Sequence, residues 1–96
     1  MRVTFHGEAR VEFLAAVRRY NAEETGLGSK FIQAVADSIQ RIRDYPASYV
    51  QILANFRRAG VRKFPYGLVY MVYDGGVKIV AVMHNRQRPD YFTERI

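Results

Sequence analysis

The side chains of this 96-residue chain best equipped for chemistry are cations, one imidazole and one tyrosine, all in its second half. Arg57, Arg58, Arg62 and Lys63 form the densest basic group, on a stretch that reads as a strand. His84, Arg86, Arg88 and Tyr91 follow where the last strand should end. Clustered guanidinium and ammonium groups neutralise phosphate or carboxylate oxygens. A histidine titrating near neutrality, or a tyrosine hydroxyl, can then pass a proton beside them. Two readings stand side by side for the basic group: an anion-binding edge, or an edge strand whose charge blocks pairing with other chains. His84 reads either as an acid/base or as a ring whose nitrogens hold the tail by hydrogen bonds. His6, ending the first strand, reads as structural or solvated.

Other chemistries find little footing. With no cysteine and only two histidines, neither a disulfide framework nor a transition-metal site is expected, and no cofactor motif stands out. Gly26-x-Gly28 falls between two helical patterns and not after a strand, so it is no dinucleotide loop. No serine-centred triad or carboxylate pair emerges. Tyr66, Tyr70 and Tyr73 follow a strand pattern and read as sheet-face or core residues in preference to base-stacking platforms. The net charge of +6 sits mostly after residue 45, where eight Lys/Arg face three Asp/Glu. Such a field favours a polyanion, either nucleic acid or an acidic protein segment. The charged first dozen residues lack a signal-peptide pattern and no apolar run is long enough to span a bilayer, so a cytoplasmic protein without a membrane partner is expected.

The elements that must position these residues follow from periodicity. Met1 to Phe5 alternates as a strand. From Glu8, Ala9, Phe13, Ala16, Val17 and Tyr20 recur at helical spacing, with Glu12, Arg18 and Arg19 turned to water. Thr25-Gly26-Leu27-Gly28 ends that helix, and Ser29 is placed to cap a second with the stripe Phe31, Ile32, Val35, Ile39 and Ile42, closed before Pro46. After a loop at 46–55, Phe56–Phe64, Tyr66–Tyr73 and Val77–His84 read as strands, the last two joined by Asp74-Gly75-Gly76. The order β-α-α-β-β-β gives one α+β domain over residues 1–96. Its antiparallel sheet has a helix hairpin on one face and leaves the other partly open for a ligand or partner.

That order and two strings resemble the RelE/ParE superfamily, toxins of type II toxin–antitoxin and plasmid stabilisation systems. One string is Val61-Arg62-Lys63-Phe64-Pro65-Tyr66-Gly67-Leu68-Val69-Tyr70. The other runs from Ile79 through His84-Asn85-Arg86 to Pro89-Asp90-Tyr91-Phe92. The resemblance covers essentially the whole chain. It implies a growth-inhibiting toxin that forms a hetero-oligomer with a cognate antitoxin, whose acidic segment or whose rival, the cellular target, would meet Arg57, Arg58, Arg62, Lys63, Arg86 and Arg88. It leaves three activities open: a ParE-like DNA gyrase poison, which is preferred, a RelE-like ribosome-dependent mRNA endoribonuclease, and a non-toxic antitoxin-binding module. In the ribonuclease reading His84, Arg86 and Tyr91 would be catalytic. Gly67 stands where RelE-type enzymes carry an arginine, however, and Phe92 where they carry the tail tyrosine. Whether the chain is an enzyme at all stays open on the sequence.

Overall fold

In the computed structural model, which describes residues 1–88 and 90–95, the alternating N-terminal residues form strand β1 (Arg2–Phe5). His6 closes it and opens helix α1 (Gly7–Glu23): its Nδ1 accepts the Glu8 N–H at 3.1 Å, satisfying one of the donors a helix start leaves free. Ala9, Ala16 and Tyr20 are buried along α1, with Phe13 and Val17 packed beside them. Glu12, expected to face water, instead turns inward to the sheet, for a reason given below.

Helix α2 (Leu27–Asp44) starts three residues earlier than a helix capped by Ser29 would, with Gly26 in the cap position. Gly26, at φ 89°, reverses the chain at once, and Asn21 of α1 supplies the missing acceptor, its Oδ1 taking the Gly28 N–H at 2.9 Å. Ser29 is left exposed in the first turn. The buried face is Phe31, Val35, Ser38 and Ile42, at three- and four-residue steps. Ile32, one position off that stripe, remains 44% exposed. Ser38 is tolerated in an apolar stripe because its hydroxyl donates to the Gly60 carbonyl at 3.0 Å and accepts from Arg41 at 2.9 Å.

The presumed loop after α2 contains a further strand, β2 (Val50–Leu53), so the order is β-α-α-β-β-β-β. Its residues are mostly exposed and carry no alternation; its existence comes from pairing with β3 (Phe56–Gly60), not from burial. Strand β3 is shorter than its pattern suggested. It ends at Gly60, and the chain turns through 61–65, with Lys63 at φ 70°, into β4 (Tyr66–Tyr73). Gly75, at φ 81°, lies in the tight turn to β5 (Gly76–His84). The sheet order is β1-β5-β4-β3-β2. Pairing is antiparallel except between β1 and β5, which run parallel because the helix hairpin carries the chain over between the first strand and the sheet.

The helix hairpin buries Tyr20, Phe31 and Tyr66 in an aromatic cluster with ring centroids 5.2–6.1 Å apart. On the opposite, outer face, Phe56, Val69, Val80, Ala81 and Met83 form a second core. A bulge in β5 opposite Val69–Tyr70 puts the consecutive Val80 and Ala81 into that same cluster. The outer face is less open than expected: the tail folds back and buries Phe92 fully, edge-on to Phe56 at 5.1 Å. Pro89, part of the tail string, lies outside the described residues. Among those described, no helix is long and apolar enough to cross a membrane.

Candidate anion-binding surfaces

The basic group that looked continuous in sequence points three ways. Strand alternation puts Arg57, paired with Tyr70, on the helix side and Arg58, paired with Val69, on the outer face. Arg57 donates to the Tyr49 carbonyl at 2.7 Å. Beside it the Tyr70 hydroxyl donates to the Pro46 carbonyl at 2.7 Å, and burial pushes that phenol up to about 12 against the opposing pull of Arg57.

Arg58 leans across the neighbouring strand. Its guanidinium lies over Gly67 and donates to Oδ1 of Asn85, beyond the end of β5; a Cβ at position 67 would overlap it. The glycine that stands where the ribonuclease branch carries an arginine thus makes room for an arginine from β3.

Arg62 and Lys63 are not on a strand, because β3 has already ended at Gly60. Both are exposed in the turn at 61–65 and line a cleft of about 700 Å³ against α2. Leu27, Ala34 and Phe64 give this cleft an apolar floor. Lys30 and Arg41 add to its positive rim, with Asp37 the one carboxylate among its lining residues.

At the end of β5, His84 is braced from both sides of its own residue. Its Nδ1 accepts the Arg86 N–H at 3.0 Å, and its backbone N–H donates to Gln87 Oε1 at 2.8 Å. The ring stands edge-on to Tyr66 at 5.2 Å. Arg86 and Arg88 are exposed in the turn that follows, Arg88 within 3.7 Å of Asp90, a pair too solvated to contribute much. His84, Arg86 and Arg58 thus gather around the end of β5, whereas Arg57, Arg62 and Lys63 lie elsewhere.

Tyr91 belongs to a different cluster, one that sequence reasoning missed. β1 pairs with β5 only as far as Ile79, so the edge of β5 beyond that point lacks a neighbouring strand. Side chains take its place: Glu12 Oε1 accepts the Val82 N–H at 2.9 Å and Arg95 donates to the Val80 carbonyl at 3.1 Å. Arg95 also reaches Glu8 at 2.9 Å, and its guanidinium sits 4.9 Å from the centre of the Tyr91 ring. Hydrogen bonding to Glu12 holds the Arg95 pKa above its ordinary value. The Tyr91 hydroxyl is buried here without a hydrogen-bond partner among the described residues. Burial, followed by the nearby Glu12 carboxylate, pushes its pKa up. The signal was present in the mismatch between a four-residue β1 and a nine-residue β5, since the surplus edge must be satisfied by something.

A helix hairpin on one face of a five-stranded sheet, with cations lining separate clefts, makes this a small basic α+β domain. The description "ParE toxin of type II toxin-antitoxin system, parDE" matches residues 3–89, and the chain belongs to that family. Among solved structures it is similar to a chain of the chromosomal ParDE toxin–antitoxin system from P. aeruginosa. The TM-score is 0.76 at 12% identity, covering 88% of this chain and 95% of that one. A search of curated proteins gave no match.

Proposed function

We propose that this type II toxin acts by binding its macromolecular target and not by cutting RNA, with DNA gyrase the first candidate. The reading is carried by the position of Tyr91. Its hydroxyl is buried under Arg95 with a raised pKa, and Phe92 beside it is sealed into the outer core, so the tail offers no accessible tyrosine proton near the outer-face cations. Arg58, Arg86 and Arg88 form the target-facing rim, where guanidinium groups recognise carboxylate or phosphate without proton transfer. The cognate antitoxin docks an acidic, amphipathic segment in the cleft between α2 and the turn at 61–65. There Lys30, Arg41, Arg62 and Lys63 surround an apolar floor, which gives a disordered acidic segment both steering and burial.

The test is controlled expression in a bacterial host together with two assays on purified protein, primer extension on translating ribosomes and gyrase supercoiling. The expected result is growth arrest with intact mRNA, inhibited supercoiling, and loss of both effects in Arg86→Ala. Codon-positioned cuts that vanish in His84→Ala would overturn the reading and assign acid/base catalysis to His84. Tyr91→Phe should leave toxicity unchanged.

A further inference from the structure

A second cleft, of about 340 Å³, lies on the helix side between α1 and the end of β5, apart from the α2 cleft. Two alanines of α1, Ala15 and Ala16, leave the space open. Arg19, Tyr66, His84 and Gln87 line it from three directions. Arg19 is exposed, yet it is held. It donates to the Tyr66 hydroxyl at 2.9 Å and its guanidinium sits 5.6 and 5.7 Å from the ring centres of Tyr20 and Tyr66. A long side chain fixed in this way has already lost much of the freedom that binding would otherwise cost.

Each group also retains an unused donor. Tyr66 accepts from Arg19, so its own proton has no acceptor among the described residues, and burial raises its pKa, which keeps the proton in place. His84 Nδ1 is occupied by the Arg86 N–H, which puts the proton of the neutral ring on Nε2. Gln87 uses its oxygen on the His84 N–H and keeps its NH2. The negative charge on the cleft wall is already spoken for: Glu12 accepts from Val82 and Arg95 through both oxygens. Glu23, the other carboxylate within electrostatic range of Tyr66, makes no ion pair within 4 Å with Arg19.

We propose that this cleft binds a phosphate-type oxyanion, as the free ion or as the terminal group of a phosphomonoester. Donor-bearing residues line the cleft from α1, β4 and the end of β5, so donors arriving from several directions suit a tetrahedral group, whose oxygens leave any one plane, better than a planar carboxylate. The site is independent of how the toxin acts on its target.

The experiment is an NMR titration of the full chain with inorganic phosphate, with glycerol phosphate as the phosphomonoester, and with acetate. Expected are saturable shifts at His84, Gln87 and the Tyr66 ring, roughly tenfold weaker binding in Arg19→Gln, and a smaller loss in Tyr66→Phe, which keeps the core. Arg19 lies on the surface, so its replacement leaves the fold intact. Tighter binding of glycerol phosphate marks an esterified ligand, and equal binding marks the free ion. Shifts that fail to saturate, affinity unchanged in Arg19→Gln, or acetate binding as well as phosphate would each overturn the proposal.

Discussion

Arg95 reaches 83 residues back along the chain to grip Glu12 through two parallel hydrogen bonds of 2.9 and 3.0 Å. Their side chains are only 13% and 20% exposed, so the pair is shielded from solvent and its loss is costly. Glu12→Gln or Arg95→Met should destabilise the domain by about 2–3 kcal/mol in chemical denaturation, since each leaves a charged partner stranded beside the β5 edge. The double variant Glu12→Gln/Arg95→Met should cost less than the sum of the two single changes.

The outer core predicts a second loss. Phe92→Ala removes a fully buried ring packed edge-on to Phe56 and should cost about 3–5 kcal/mol. Dye binding to the uncovered face of β4 and β5 should rise in parallel. A loss below about 1 kcal/mol would mean that the tail does not pack there in solution.

On α2 the effect of shortening isoleucine should follow burial and not position in the sequence stripe. Ile42→Ala, at a site with no exposure, should cost about 2–5 kcal/mol, Ile39→Ala less, and Ile32→Ala within about 0.5 kcal/mol of the parent. Urea midpoints of the three variants provide the ranking.

Alkaline pH should weaken the fold in a defined window. The Tyr70 phenol is raised to about 12 in the folded chain against about 10 when unfolded, so between these values the folded state holds a proton that the unfolded state has released. Stability is therefore full below about pH 10 and falls as pH rises towards 12, by about 2–3 kcal/mol for this group. Tyr70→Phe should make that limb of the stability curve shallower, with the raised Tyr66 and Tyr91 phenols still contributing, while costing about 1 kcal/mol at neutral pH for the lost bond to Pro46.

Gly67→Ala isolates the Arg58 arrangement. The added methyl displaces a flexible guanidinium and not backbone, so stability should change by less than about 1 kcal/mol. The Arg58 to Asn85 contact should be lost nonetheless, read from the Asn85 side-chain amide resonances. If Arg58 belongs to the target-facing rim, toxicity should fall in this variant and in Arg58→Ala alike.

Much of this architecture was legible because apolar spacing is a local signal. The two helices, the β4–β5 hairpin and the helix-side core all follow from it. What escaped notice depends on pairing between distant residues. β2 carries no alternation and exists only because β3 lies beside it. Glu12 looked like a solvent-facing residue of α1 because nothing local announces a bare strand edge or an arginine at position 95 to meet it. For the candidate site, the residue types were readable but their directions were not. Arg57 and Arg58 part by strand alternation, and the early end of β3 at Gly60 removes Arg62 and Lys63 to another cleft.

The parallel union of β1 with β5 also orders events in time. Val3 finds its neighbour only when Val77 has been made, and until then the first strand has no partner in the sheet. During synthesis the helix hairpin can form early from its own contacts, but the sheet that carries the cationic rim stays incomplete until the last strand has left the ribosome. A nascent chain of this topology therefore lacks its assembled cationic rim until β5 has emerged.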